Sequence, residues 1–141
     1  MHYWKVKALP LRVRTYDQAR KEVLEIFKEL KGKSKRKLSI KSRYFNKDKV
    51  FLDFFWDHLL QKPLAQRKDR LRFMPCALEL IHLNTLKPSV KTNPHKPEEQ
   101  LYRFYGKTPQ GSRFVVQLKK TAQGSLQFMS AFPTNKKTPL M

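Results

Sequence analysis

Residues Leu101–Phe132 read LYRFYGKTPQGSRFVVQLKKTAQGSLQFMSAF. Two turn-forming breaks, TPQG at 108–111 and TAQG at 121–124, divide this stretch into three segments rich in apolar and aromatic residues. Short segments of this composition between such breaks are typical of β-strands. The stretch therefore predicts an antiparallel β-meander whose surface carries arginines, lysines and aromatic side chains.

The second break predicts one register. Residues 122–124 fit a three-residue hairpin loop with Gly124 in the left-handed conformation. Because side chains alternate along a strand, counting outward from this loop places three residue pairs on one face. These pairs are Leu118 with Phe128, Val116 with Ser130, and Phe114 with Phe132. Ser130 is thus the one hydroxyl on an otherwise apolar face, and we expect it to point towards the helices.

The first break leaves two registers open. If residues 109–110 form a two-residue turn, Arg103 shares the inner face with Ser130 and Tyr105. If residues 109–111 form a three-residue loop, Arg103 faces outward. Turn chemistry slightly favours the loop, whereas the two-residue turn brings a cation and a hydroxyl into one row. The residues alone do not decide between the two.

Helices are predicted ahead of the meander by apolar residues at three- and four-residue spacing. The first begins after an N-cap at Thr15 and ends near Leu30, and a shorter helix is capped by Asp53. A longer helical stretch, Leu64–Leu83, is divided into two helices or kinked at Pro75. We therefore expect an α+β fold in which N-terminal helices pack on a C-terminal antiparallel sheet.

The remaining segments are predicted to be less regular. Residues 3–8 give a weak strand signal, and residues 85–97, with three prolines, are expected to form an exposed connection. The strongly basic residues 31–41 fit either a solvated loop or an exposed edge that follows a phosphate backbone. A chain of 141 residues fits a single domain, 1–141, with a helix and basic segment at 1–48 and the remaining elements at 49–133.

The charge balance indicates a polyanionic partner. The chain has 31 Lys and Arg against 11 Asp and Glu, a formal net charge of +20. So many positive charges repel one another in a small domain unless an anion screens them. Nucleic acid is the leading candidate, ahead of an anionic membrane surface or an acidic protein. No segment approaches the roughly 20 apolar residues of a membrane span, and no signal peptide is evident, so we expect a cytoplasmic protein.

Metal and phosphate-loop motifs are absent from the sequence. The four glycines are scattered, the acidic residues are dispersed, and Cys76 is the single cysteine, in an apolar run typical of core. Cleavage of RNA through its own 2′-hydroxyl needs only a proton carrier, cations and hydrogen-bond donors. Histidine is the natural proton carrier near neutral pH. Among four histidines, His58 in FFWDHLL is the best candidate, although a packed histidine at the edge of the core remains an alternative.

Two short motifs carry a resemblance to a known family. They are VFxxxxWxHL at 50–59, which contains His58, and FxSAFP at 128–133, which contains Ser130. In this pairing, residues 49–133 resemble the barnase–EndoU–colicin D–RelE-like superfamily of nucleases, in its phage- and mobile-element-associated branch. The resemblance implies a small α+β domain and metal-independent cleavage of tRNA or translating mRNA.

The resemblance also implies roles for individual residues. It makes His58 the proton-transfer residue and Ser130 a hydroxyl that orients the scissile phosphate. Arg103 is the nominee for a strand-borne cation, with Lys107 and Arg113 as substitutes.

The resulting hypothesis is a ribonuclease toxin or effector that needs neither a cofactor nor a metal. Further side chains are expected to bind RNA: Lys62, Tyr105, Lys107, Arg113 and Lys119. An acidic antitoxin or immunity protein would be the natural inhibitor, because complementary charge speeds association. The alternatives are a non-catalytic nucleic-acid-binding module on the basic sheet face and a structural component of a ribonucleoprotein.

Overall fold

The computed structural model describes residues 2–33 and 35–134. The ends of the predicted domain, residue 1 and residues 135–141, lie outside the described part. In chain order, the elements within it are β1 (Trp4–Lys5), α1 (Tyr16–Lys31), β2 (Ser39–Ser42), β3 (Asp48–Phe51), α2 (Phe54–Leu60), α3 (Leu64–Arg72), α4 (Met74–Leu83), β4 (Ser89–Asn93), β5 (Lys96–Lys107), β6 (Arg113–Lys120) and β7 (Leu126–Pro133).

The seven strands form one mixed sheet in the order β1-β5-β6-β7-β3-β2, with β4 also paired to β5. The α+β class and the antiparallel meander β5-β6-β7 are confirmed. The expectation of a purely antiparallel sheet was wrong, because β1 pairs parallel with β5 and β3 pairs parallel with β7. Both parallel pairs join segments far apart in the chain, as parallel pairing requires long connections.

The first helix follows its predicted limits. The hydroxyl of Thr15 accepts a hydrogen bond of 3.2 Å from the backbone N–H of Gln18, which is N-cap geometry. At the other end, the N–H of Gly32 donates to the carbonyl of Lys28. Ala19, Val23 and Phe27 form the buried stripe of α1.

Three shorter helices follow. Asp53 precedes α2 but its side chain makes no capping bond, so the predicted cap was wrong; its backbone is already helical, at φ −63° and ψ −28°. The predicted division near Pro75 is confirmed, since α3 and α4 meet at Phe73. Pro75 lies in the first turn of α4, where its missing N–H has no intrahelical partner to lose. None of the four helices in the described ranges is long and apolar enough to cross a bilayer.

The proline-rich segment 85–97 was expected to be an exposed connection, and this expectation was wrong. It contains β4, and β5 begins at Lys96 rather than at Leu101. The three prolines interrupt nothing, because they precede β4, occupy the turn, or lie in the first residues of β5. Five-residue β4 is mostly exposed, so it lacks the apolar alternation by which strands are predicted.

The core lies between the helices and one face of the meander. The ring of Phe55 in α2 stacks on Phe128 at a centroid distance of 5.2 Å, and Phe73 packs on Phe114 at 5.6 Å. Residues of every helix join one hydrophobic cluster with the inner meander residues. These meander residues are Tyr102, Phe104, Phe114, Val116, Leu118, Leu126, Phe128 and Ala131.

The turn between β5 and β6 is the three-residue loop. Thr108 and Ser112 pair across it, with the Thr108 N–H donating to the Ser112 carbonyl at 2.8 Å. Gly111 has φ +90°, a conformation in which a side chain would be strained. This register pairs Arg103 with Gln117 and places Arg103 on the face opposite the core residues Tyr102 and Phe104.

The register between β6 and β7 changes part of the way along the pair. Leu118 pairs with Phe128, as predicted from the Gly124 loop, but a β-bulge follows between Leu118 and Gln117. Beyond it, Gln117 pairs with Ser130, so the predicted pairs of Val116 with Ser130 and Phe114 with Phe132 were wrong. One extra residue in β7 moves every later side chain to the other face. Ser130 therefore lies on the face of Arg103 and not on the core face.

Candidate functional site

A cavity of about 360 Å³ opens on the meander face that the core does not occupy. Helix α2, the α2–α3 connection, helix α3 and all three meander strands contribute to its wall. Its lining residues are His58, Lys62, Arg70, Arg103, Gln117, Met129, Ser130 and Phe132. The structure thus brings the three predicted catalytic residues, together with Lys62, into one cavity.

The β-strand pairing explains how the strand residues meet. Arg103, Gln117 and Ser130 stand directly opposite one another on β5, β6 and β7, in one row across the sheet. Phe132 is two residues along β7 from Ser130 and therefore lies on the same face. The bulge is what aligns this row, because without it Ser130 would face the core.

His58 reaches the cavity from α2. Its ring is half-buried, and burial is the main reason that its pKa is lowered from the usual value. The positive charges of Lys119 and Lys62 lower the pKa further, whereas Asp57 opposes them. The neutral imidazole, which is able to accept a proton, is therefore favoured near pH 7.

Arg70 is a cavity residue that the sequence analysis missed. It lies in α3, and its Nη1 donates a hydrogen bond to the hydroxyl oxygen of Ser130. Its Cζ also lies 4.8 Å from the centroid of the Phe132 ring. The available signal was the density of cations in α3, which has the sequence LAQRKDRLR, but that density does not single out Arg70.

Arg103 approaches the same ring from the sheet. Its Cζ is 5.6 Å from the Phe132 centroid, and its Nε donates to the Gln117 side-chain oxygen at 3.0 Å. The Cζ atoms of Arg70 and Arg103, at 4.8 Å and 5.6 Å from the ring centroid, are both within the range of cation–π contact. Phe132 thus holds two guanidinium groups close together, each fixed by a second contact to a strand residue.

The cations of the cavity have no carboxylate partner among residues 2–33 and 35–134. The two ion pairs found in that part of the chain are Arg72 with Asp69 at 3.2 Å and Lys119 with Glu99 at 3.8 Å. Burial lowers the pKa of Lys62 and of Arg70, and the nearby Arg103 lowers both further. These charges repel one another, so an anion bound between them would be stabilised.

The other predicted RNA-binding residues lie at varied distances from this cavity. Lys119 is near enough to affect His58 electrostatically. Tyr105 is buried, 7% exposed, and its hydroxyl is 2.9 Å from that of Ser89. Lys107 and Arg113 lie opposite each other on β5 and β6, at the loop end of the two strands. Neither residue lines the cavity.

The described residues form no metal site, and the chain matches no known protein in three comparisons. Within the described residues, no three His, Cys, Asp or Glu side chains are grouped so that they could hold a metal ion. Comparison of the chain with protein-family models, with curated proteins and with solved structures gave no match. The resemblance to the nuclease superfamily stays a prediction.

Proposed function

We propose that the protein is a metal-independent endoribonuclease that cleaves RNA by attack of a 2′-hydroxyl on the adjacent phosphate. One observation carries the proposal: a histidine with a lowered pKa shares a cavity with two guanidinium groups that no described carboxylate neutralises. A phosphodiester supplies the missing negative charge, and the histidine supplies the base.

His58 acts as the general base in this scheme. Its neutral imidazole takes the proton of the 2′-hydroxyl, and the 2′-oxygen forms a bond to phosphorus. The bond from phosphorus to the 5′-oxygen then breaks, which leaves a 2′,3′-cyclic phosphate on one product. The lowered pKa of His58 keeps the base in its reactive form at neutral pH.

Lys62 is the proton donor to the departing 5′-oxygen. Burial and the charges of Arg70 and Arg103 lower its pKa, which makes its ammonium group a stronger acid than an ordinary lysine. The proton that His58 gains and the proton that Lys62 loses balance the reaction.

Arg70, Arg103 and Ser130 stabilise the pentacovalent phosphorane. Two fixed guanidinium groups offer N–H donors to the oxygens that gain charge. The Ser130 oxygen already accepts a bond from Arg70, so its own O–H is left to donate to a phosphate oxygen. Lys107, which the sequence offered as a substitute for Arg103, does not line the cavity and has no part in this scheme.

The substrate that fits this chemistry is tRNA or mRNA, in keeping with the net charge of +20. We propose that the protein acts as a toxin or effector. An acidic antitoxin or immunity protein is the corresponding inhibitor, since it would cover the cationic cavity.

A non-catalytic RNA-binding module is the second candidate. It is favoured by the cations outside the cavity, among them the exposed Arg113. In that case the sheet face binds the phosphate backbone, and His58 is a packed residue without a chemical role.

Incubation of the purified protein with tRNA and mRNA in EDTA distinguishes these candidates. We expect products with 2′,3′-cyclic phosphate ends, and we expect His58→Ala to lower the cleavage rate by about 10²–10⁴-fold. His82→Ala is the matched control, because His82 is exposed and contacts the Lys41 carbonyl outside the cavity. Tight binding of RNA that stays intact, or full activity in His58→Ala, would refute the ribonuclease proposal.

A further inference from the structure

We infer that the cavity is one end of a longer RNA-binding groove, which runs between α3 and the end of β7 to a second phosphate site at Arg113. The identity of the bound strand rests on the proposed ribonuclease function. The groove itself is inferred from cavities that share walls.

Three cavities adjoin one another along this path. A middle cavity of about 190 Å³ shares Arg70 and Phe132 with the His58 cavity. A third cavity of about 650 Å³ shares Asp69 and Pro133 with the middle one. Helix α3 lines one side throughout, and the end of β7 lines the other.

The sizes of the cavities fit a chain of linked groups better than one compact ligand. The two end cavities fall in the range of about 300–1,000 Å³ that is typical of ligand pockets. The middle cavity is smaller than this range. A strand that places one nucleotide in each end cavity and only a base in the smaller middle cavity matches this succession.

The middle cavity is suited to stacking. The half-buried Phe132 ring and the exposed Pro133 form its β7 side, and the side chain of Ala65 adds apolar surface from α3. Bases of single-stranded RNA are recognised by stacking on aromatic side chains. Gln66 and Asp69 provide polar groups at the edge of this surface.

The third cavity has the groups that bind a phosphate and a base. Arg113 is exposed, rests on the Tyr3 ring at 5.0 Å, and forms no ion pair within residues 2–33 and 35–134. Arg72, in contrast, is paired with Asp69 at 3.2 Å. Arg113 is therefore the cation that is available to a second phosphate.

Two polar side chains of the β5–β6 loop complete the third cavity. Gln110 and Ser112 are exposed, and their side chains make no hydrogen bond to any other described residue. Amide and hydroxyl groups of this kind bind the edges of unpaired bases. The cavity thus combines a phosphate-binding cation with groups that discriminate between bases.

The test measures how affinity depends on the length of the RNA. Oligonucleotides with a 2′-deoxy residue at the scissile position, which cannot be cleaved, are extended on the 5′ side in one series and on the 3′ side in another. We expect affinity to rise with extension on one side only, because the groove leaves the His58 cavity in one direction. In Arg113→Gln this gain is expected to disappear, and the salt slope of binding to fall by about 0.7, the value for one phosphate contact on a single strand.

Arg20→Gln provides the control for net charge, since Arg20 is exposed on α1 and lines none of the three cavities. An equal effect of Arg20→Gln and Arg113→Gln on the length series would refute the groove, as would affinity that does not change with length. Cleavage without length dependence would overturn the groove alone. Length-dependent binding without cleavage would overturn the ribonuclease proposal and leave the groove standing.

Discussion

The central strand β6 has two neighbours, and its pairing with each is different. The ladder with β5 keeps one register from the loop at 109–111 to the pair of Gln100 with Lys120. The ladder with β7 starts in the register set by the Gly124 loop and then shifts at the bulge beside Leu118. Turn chemistry therefore determines the whole of the first ladder but only the near half of the second.

This difference decides where the candidate site lies. The regular ladder turns Arg103 away from the core, and the bulged ladder does the same for Ser130. Had the second ladder stayed regular, Ser130 would lie on the face opposite Arg103 and no shared cavity would form. The row that meets His58 and Arg70 is thus a product of one regular ladder and one interrupted ladder.

The largest effect expected in the meander comes from removing the residue that the regular ladder supplies. In Arg103→Gln we expect the RNA cleavage rate to fall by about 10²–10³-fold, because one fixed donor to the phosphorane is lost. Ser130→Ala removes one hydroxyl supplied by the bulged ladder, and a loss of about 5–10-fold is expected for a single hydrogen bond. Single-turnover cleavage of one RNA measures both.

Arg20→Gln serves again as the control, with its equal change of charge on an exposed face of α1. If Arg103→Gln and Arg20→Gln slowed cleavage equally, the slower cleavage would come from the lower net charge of the protein. The position of Arg103 opposite Gln117 and Ser130 would then not matter.

Local chemistry was sufficient to predict much of the fold. The Thr15 cap, the end of α1 and the division of α3 from α4 at Pro75 each depend on neighbouring residues. The same is true of the loop at Gly124, where φ is +89°. The parallel neighbours β1 and β3 depend on distant segments, and a short exposed strand such as β4 has no apolar pattern to reveal it.

The composition of the candidate site was predictable in part. His58, Arg103, Ser130 and Lys62 were proposed from their residue types and the motifs around them, and they line one cavity. The β-bulge that places Ser130 on this face was not predictable. Residues 128–131 are buried in succession, so β7 gives no alternation from which the shift could be inferred. Arg70 was not predicted, because α3 carries several cations and its sequence does not single out the one that contacts Ser130.

Substitution of a glycine in either hairpin is expected to have a smaller effect, and this effect is on the stability of the fold. Gly106 pairs with Phe114 in the regular ladder, and a Cβ added there would overlap the buried Phe114 ring. We expect Gly106→Ala to lower the free energy of unfolding by about 1–3 kcal/mol, as overpacking does. In a Phe114→Leu background the cost is expected to be less, because the smaller side chain leaves room.

Gly124→Ala is the matched change in the other hairpin. A Cβ at Gly124 meets nothing within 4 Å, so only its positive φ is unfavourable, at a cost of about 1–2 kcal/mol. Denaturant unfolding of Gly106→Ala, Phe114→Leu, their double variant and Gly124→Ala measures the two glycine costs and the coupling of Gly106 with Phe114. An equal cost of Gly106→Ala with and without Phe114→Leu would show that the ring does not constrain the regular ladder.

The smallest effect is expected at Lys119, which lies in β6 just on the turn side of the bulge. After burial, its charge is the next cause of the lowered pKa of His58. Lys119→Gln removes a cation that disfavours imidazolium, so the pKa of His58 rises. Because the base reacts in its neutral form, the acidic limb of the pH–rate profile is expected to move to higher pH, while the rate on the plateau stays the same.

Saturating RNA removes any effect of Lys119 on substrate affinity, so kcat is the quantity to follow against pH. Lys120→Gln is the control, because it makes the same change of charge one residue away on the opposite side of the strand, and Lys120 is not among the charges that shift the pKa of His58. The loss of the Lys119–Glu99 ion pair leaves a carboxylate unpaired, which raises the pKa of His58 in the same direction. A limb that moves to lower pH in Lys119→Gln, or equally in both variants, would mean that the titrating base is not His58.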